Sequence, residues 1–125
     1  MKPVYQTREG YPNGNCLQAC IASVLEVSLD DVPEIPPESA DWVADLHTIL
    51  APYGYYTVDI TTDGTIPQGW HLIAGKSPRG DFYHSVVGLD GEMVHDPHLS
   101  GDGLRTTEAF TLFVTFNPAE GPKNA

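Results

Sequence analysis

The chain has 125 residues, of which 17 are acidic and 6 are basic, and its formal net charge at neutral pH is −11. This length fits one domain with a single core. An acidic surface repels phosphate backbones, so the composition argues against a nucleic-acid-binding protein. The start of the chain has no signal-peptide pattern, and no stretch approaches the roughly 18 apolar residues of a membrane span. We therefore expect a cytoplasmic protein without a membrane partner.

The first predicted element is a helix that starts at Cys16. Apolar residues recur at three- and four-residue spacing from Cys16 to Leu25, and the preceding turn-forming residues make Asn15 a candidate N-cap. A cysteine in the first turn of a helix is exposed to unpaired amides and to the helix dipole, both of which lower the pKa of its thiol. Cys16 is thus a candidate nucleophile. Cys20, one turn later on the apolar face, is expected to be a buried hydrophobic residue, since two cysteines at this spacing are only a weak zinc signal.

A short acidic turn is predicted in the segment that begins at Ser28, followed by a proline-rich loop. A second helix is predicted from a cap at Ser39 to Leu50, before Pro52 and Gly54. The pattern then changes to β-branched and aromatic residues, which predicts five strands: 55–61, 70–74, 82–89, 93–95 and 110–116. Helices followed by strands predict an α+β domain with a mainly antiparallel sheet over residues 1–116, and residues 117–125 are predicted to form a flexible tail.

A second candidate catalytic group is His84, at the start of the most apolar strand. A buried imidazole is costly unless it is paired, so this position favours either a functional histidine or a satisfied core histidine. The Asp90-Gly91 pair predicts a two-residue hairpin, which brings Asp96 to within one residue of the neighbour of His84. A carboxylate there could orient the imidazole as in a nucleophile–base–acid triad. The alternative for Asp96-Pro97 is an ordinary turn.

Taken together, these residues resemble the papain-like peptidases of the C39 type. The segments that carry the resemblance are 14–20, with Cys16 opening the helix, and the stretch from His84-Ser85-Val86-Val87-Gly88 to Asp96-Pro97. The chain also resembles small bacterial and phage proteins from which no activity can be transferred. The C39 resemblance implies a papain-like fold with Cys16 as nucleophile, His84 as general base and acid, and Asp96 as orienting residue. It also implies an oxyanion-stabilising glutamine before the nucleophile, for which Gln6 is the candidate.

Three function classes are compatible with these residues. The first is a thiol hydrolase or transferase that acts on an amide, isopeptide or thioester bond of a peptide or small substrate, without a cofactor or metal. Asn15, Arg79 and His98 are its candidate substrate contacts. The second is a catalytically idle papain-like module that binds a partner, for example a phage-borne inhibitor of a host protein. The third is a metal hydrolase using His84, His95, Asp96 and His98, although adjacent strand residues point to opposite faces. The oligomeric state is left open.

Overall fold

The structure, a computed structural model, describes residues 1–116; the predicted flexible tail, residues 117–125, lies outside the described residues. Helix α1 spans Cys16–Leu25, as predicted, and its buried residues Cys20, Ile21, Ala22 and Val24 belong to the main core. The acidic turn is a short 3₁₀ helix, Leu29–Asp31. No helix within residues 1–116 is long and apolar enough to cross a membrane.

Helix α2 spans Trp42–Leu50 and ends at a second 3₁₀ turn, Ala51–Tyr53. Its N-cap is Asp41, whose carboxylate accepts a hydrogen bond from the amide of Ala44 at 3.1 Å. The prediction of Ser39 as the cap is wrong by two residues. The hydroxyl of Ser39 instead donates to the carboxylate of Asp45, so it binds a side chain of the first turn and not a free backbone amide.

The sheet has five antiparallel strands: β1 (Tyr55–Thr61), β2 (Trp70–Lys76), β3 (Tyr83–Leu89), β4 (Glu92–His95) and β5 (Ala109–Thr115). Their spatial order is β1-β5-β2-β3-β4, so the last strand in sequence lies between the first two. The α+β class and the antiparallel sheet are therefore confirmed. Each predicted strand lies within two residues of an observed one, because alternating β-branched residues bounded by turn residues specify strands well.

The hairpin between β3 and β4 has the predicted two-residue turn. Asp90 and Gly91 both have positive φ, 52° and 93°, as this tight turn requires, and Leu89 pairs with Glu92. The regular register is interrupted between Val87 and Gly88: Gly88 pairs with Met93, whereas Val87 pairs with His95. One extra residue is therefore accommodated in β4, and the pairing that follows is displaced by one position from the predicted one.

Helix α1 and the facing side of the sheet form the main core, where Ile21, Leu72, Val87 and Phe113 are buried together. A smaller cluster containing Ile73, Val86 and Phe110 lies on the other face. His71 is completely buried, and its ring lies edge-on to that of Phe110 in the smaller cluster. A Cβ atom at Gly88 would lie 2.4 Å from the Nε2 atom of His71, so only glycine leaves enough room for this imidazole.

Candidate functional site

The site is centred on a buried histidine–carboxylate pair. Nε2 of His84 lies 2.7 Å from Oδ1 of Asp96, and the side chains of both residues are almost completely buried. With Nε2–H donating to the carboxylate, Nδ1 carries the lone pair of the neutral imidazole. No other described residue, in 1–116, hydrogen-bonds Nδ1. His84 therefore has one nitrogen fixed by Asp96 and a second nitrogen that is chemically free to accept a proton.

The displaced register explains why Asp96 reaches His84. If the Val87–His95 pairing is continued, Asp96 falls opposite Val86, which is two residues from His84 and therefore on the same face. The regular register would have placed Asp96 on the other face. The bulge thus aims the carboxylate at the imidazole. The sequence contained no signal for it.

Asp96 is held as an anion by several donors. Its Oδ1 accepts from the amide of His98 at 2.9 Å, and its Oδ2 accepts from the amide of Gly103 at 2.8 Å. Burial alone would raise the pKa of Asp96, but the hydrogen bonds from His84, His98 and Gly103 outweigh it and lower that pKa. Burial lowers the pKa of His84, against the opposing effect of Asp96. The resting pair is therefore a carboxylate and a neutral imidazole.

Cys16 lies at the start of α1, beside the strand that carries His84. The backbone of Ser85, the residue after His84, acts to lower the pKa of the Cys16 thiol. One turn later, the thiol of Cys20 donates to the carbonyl of Ser85 at 3.3 Å. This arrangement places α1 against the backbone of the residue next to His84. Strand alternation puts the His84 side chain on the face of Val86, and no hydrogen bond between the thiol of Cys16 and the imidazole is present within residues 1–116.

The environment of Cys16 changes its pKa in the direction opposite to the one predicted. Burial raises the pKa of the thiol, and the backbone hydrogen bonds from Ser85, Leu17 and Cys16 itself only partly oppose this effect. The prediction of a lowered pKa considered the helix terminus alone. At neutral pH the thiol of Cys16 is therefore protonated. For Cys20, which is completely buried, desolvation raises the pKa well above its ordinary value.

The N-terminal segment lies between the Asp96 loop and the start of α1. The amide of Gln6 donates to the carbonyl of Pro97 at 3.0 Å, and the amides of Thr7 and Arg8 each donate to Oδ1 of Asn15 at 3.0 Å. Gln6 thus lies between the residue that follows Asp96 and the residue that precedes Cys16. Its side-chain Nε2 donates to the carbonyl of Arg8 at 2.9 Å, so its role as an oxyanion donor stays a prediction.

Asn15 is buried, and its side chain does not make the predicted capping bond; its role as a substrate contact stays a prediction. Although it occupies the N-cap position, its side chain makes no capping hydrogen bond to α1. Its Oδ1 binds the two amides of the N-terminal segment, and its Nδ2 donates to the hydroxyl of Thr7 at 2.9 Å. Asn15 therefore positions the residues before the helix.

Arg79 and His98 belong to an ion-paired cluster outside Asp96. Nε of Arg79 donates to Oε1 of Glu9 at 2.7 Å, and Nε2 of His98 lies 3.2 Å from Oε2 of the same carboxylate. Ser100 contacts both, at 3.2 Å from Nη1 of Arg79 and 2.8 Å from Nδ1 of His98. The cluster joins the loops that contain Glu9, Arg79 and His98, and the last of these loops also contains Asp96. Sequence reasoning missed Glu9, because 70 and 89 positions separate it from its partners.

The histidines proposed for a metal centre diverge. Nε2 of His95 lies 2.8 Å from the carbonyl of Val4, whereas His84 is directed to Asp96. Among residues 1–116, no group of three or more His, Cys, Asp or Glu side chains is arranged so that it could hold a metal ion.

Comparison of the chain with models of protein families, with curated proteins and with solved structures found no match.

Proposed function

We propose that this protein is a thiol hydrolase or transferase of papain-like architecture, acting on an amide, isopeptide or thioester bond through Cys16, His84 and Asp96. The observation that carries the proposal is the buried 2.7 Å contact between Nε2 of His84 and Oδ1 of Asp96. Helix α1, which begins at Cys16, packs on the strand of His84, where the thiol of Cys20 donates to the carbonyl of Ser85. A nucleophile, a base and a group that orients the base are the parts that acyl transfer requires.

In the proposed reaction, Nδ1 of His84 accepts the thiol proton as the sulfur of Cys16 attacks the carbonyl carbon of the substrate. The tetrahedral oxyanion is stabilised by backbone amides at the start of α1 and by Gln6 if its side chain turns toward the site. The imidazolium then protonates the leaving group, and an acyl-thioester on Cys16 remains. Water or a second nucleophile, deprotonated by His84, releases the acyl group and regenerates the thiol.

The experiment is alkylation with iodoacetamide over a pH series, with each modified cysteine identified by peptide mass. We expect Cys16 to react much faster than Cys20, which has no exposed surface. His84→Ala should slow the reaction of Cys16 by about tenfold or more at pH 7, since the thiol loses its base. Cys16→Ala should abolish the fast reaction, whereas Cys20→Ala should preserve it. Equal reactivity of the two cysteines, or a rate unchanged by His84→Ala, would contradict the proposal.

A second candidate is an idle papain-like module that binds a partner protein. The observation in its favour is the burial that raises the pKa of Cys16 and keeps its thiol protonated. An unreactive Cys16, together with a biological effect that survives Cys16→Ala, would favour this alternative over the enzyme.

A further inference from the structure

A groove of about 950 Å³ lies on the side of α1 that continues from the nucleophile. It is bounded by the loop 8–15, by α1, and by the proline-rich segment 33–38. Leu17, Ile35 and Ile49 line it and pack against the main core, which gives the groove an apolar floor. Its volume is at the upper end of the roughly 300–1,000 Å³ found for ligand pockets, so it can accept more than a small amide.

The groove reaches the chain neighbours of Cys16, although the lining does not include Cys16, His84 or Asp96. Asn15 and Leu17, the residues on either side of Cys16, both line it. A ligand held in the groove therefore lies next to the backbone that positions the nucleophile. This proximity at the start of α1 is what connects the groove to the proposed reaction.

Polar groups alternate with apolar ones around the groove. Gln18, which lines it, donates from Nε2 to the carbonyl of Val32 at 2.7 Å, and Glu34 and Glu38 stand at its proline-rich wall. Arg8 and Glu34 form an ion pair between the two walls, with both side chains about half exposed. A peptide offers amide groups and side chains that can bind the polar walls as well as the apolar floor, whereas a hydrocarbon chain can bind only the floor.

We propose that this groove binds an extended peptide segment that carries apolar side chains and one basic residue, and that it presents this segment to Cys16. The inference deepens the proposed function and rests on it for the delivery to Cys16. The net charge of −11 favours a basic ligand. A lysine or arginine of the peptide can replace Arg8 as the partner of Glu34, at little cost, because exposed ion pairs contribute only about 0–1 kcal/mol.

The test measures binding in the Cys16→Ala protein, in which turnover is excluded. The probe is a fluorescein-labelled octapeptide of leucine, isoleucine, proline and glycine with one central lysine, and its twin carries glutamate in place of lysine. Fluorescence anisotropy at low salt should show the lysine peptide binding about tenfold or more tightly than the glutamate twin. Glu34→Lys should remove or invert this preference. Glu92→Lys makes the same charge change on β4, outside the groove, and should preserve it.

Two further variants sharpen the result. Arg8→Ala frees Glu34, so the lysine peptide should bind more tightly; a loss of affinity would contradict the exchange of partners. Ile35→Glu places a charge on the apolar floor and should weaken both peptides, provided that its thermal unfolding shows an intact fold. Equal affinity for the two peptides in the parent protein, no binding of either, or binding of N-dodecanoyl-glycine in preference to both would overturn the proposal.

The failures of the two proposals are distinguishable. If Cys16 proves unreactive toward iodoacetamide while the lysine peptide binds and responds to Glu34→Lys, the groove is a peptide site and the enzymatic proposal fails. If Cys16 reacts in the His84-dependent manner while neither peptide binds, the enzymatic proposal stands and the groove proposal fails.

Discussion

The Cys16 thiol experiences two opposing influences, the helix terminus that favours a thiolate and the burial that disfavours it. The net effect is a raised pKa, with burial as the largest contribution. In a site of this type the thiol and the imidazole both rest uncharged, and the proton moves when the substrate is attacked. Under the proposed function, we therefore expect the reactivity of the sulfur to depend more on His84, oriented by Asp96, than on the position of the sulfur on the helix.

The role of Asp96 can be tested with Asp96→Asn, which preserves the size of the side chain. The amide cannot accept from Nε2–H with the strength of a carboxylate, and its NH₂ group favours the wrong imidazole tautomer. We expect the rate of Cys16 alkylation at pH 7 to fall by about tenfold, the effect of one unit in the basicity of His84. Asp102→Asn, an exposed carboxylate in the same loop, is the matched control and should leave the rate unchanged.

His71 is a residue whose protonation opposes folding. Its Nδ1 lies 3.0 Å from the carbonyl of Gly69, while its Nε2 is buried against Gly88 without a hydrogen-bond partner within residues 1–116. Burial lowers the pKa of His71 in the folded protein. The unfolded chain therefore binds this proton more readily, and the related stability is present above about pH 6.5 and is lost as the pH falls below it. His84 contributes in the same direction.

Urea unfolding between pH 7.5 and 5.5 measures this effect. The free energy of unfolding of the wild type should decrease over this range, and His71→Leu should show a smaller decrease, because leucine binds no proton. A wild-type stability that rises as the pH falls, or a slope unchanged in His71→Leu, would show that His71 is not responsible.

Among the elements, α1 and the β3–β4 hairpin were the most predictable from the sequence. The helical spacing of apolar residues predicts the bounds of α1. The Asp90-Gly91 turn predicts which residues form the tip of the hairpin and which residues pair next to it. The β-bulge was not predictable, because it depends on how β4 packs and not on a local turn signal. The path of the N-terminal segment was also not predictable from the sequence, because it depends on hydrogen bonds from its amides to the side chain of the buried Asn15.

The contacts of Asn15 predict the effect of removing its side chain. Asn15→Ala deletes the acceptor for the amides of Thr7 and Arg8, whose hydrogen bonds are partly buried, and a typical hydrogen bond contributes about 0.5–1.5 kcal/mol. We expect a loss of that size in the free energy of unfolding, measured with urea, and a slower alkylation of Cys16. Asn13→Ala, two residues earlier and exposed, should change neither quantity. A stable Asn15→Ala protein would mean that water replaces the lost acceptor.

At the scale of the whole molecule, charge repulsion competes with surface ion pairs. Six basic residues cannot neutralise 17 acidic ones, and the described pairs Arg8–Glu34 and Arg79–Glu9 are partly exposed. Exposed pairs contribute about 0–1 kcal/mol each, so screening them costs little. Screening the excess negative charge should stabilise the folded state by a larger amount.

Raising NaCl from about 10 to about 150 mM shortens the Debye length from about 30 to about 8 Å. We expect the midpoint of thermal unfolding at pH 7.5 to rise by about 2–5 °C, equivalent to about 1 kcal/mol for a domain of this size. Near the isoelectric point of about 4.5 the increase should disappear, since little net charge is left to screen. A decrease at pH 7.5 would mean that the ion pairs outweigh the repulsion.

The position of β5 affects how the chain can fold as it is synthesised. Within residues 1–116, β5 is the strand that joins β1 to β2, and it follows both of them in sequence. A nascent chain on the ribosome that has released residues up to Asp96 can assemble α1, β2 and the hairpin, whereas β1 has no strand to pair with. The last strand therefore closes the sheet as a single insertion. A protein divided in the loop before β5 is accordingly a candidate for fragment complementation, in which a short peptide restores the missing strand and, with it, the completed fold.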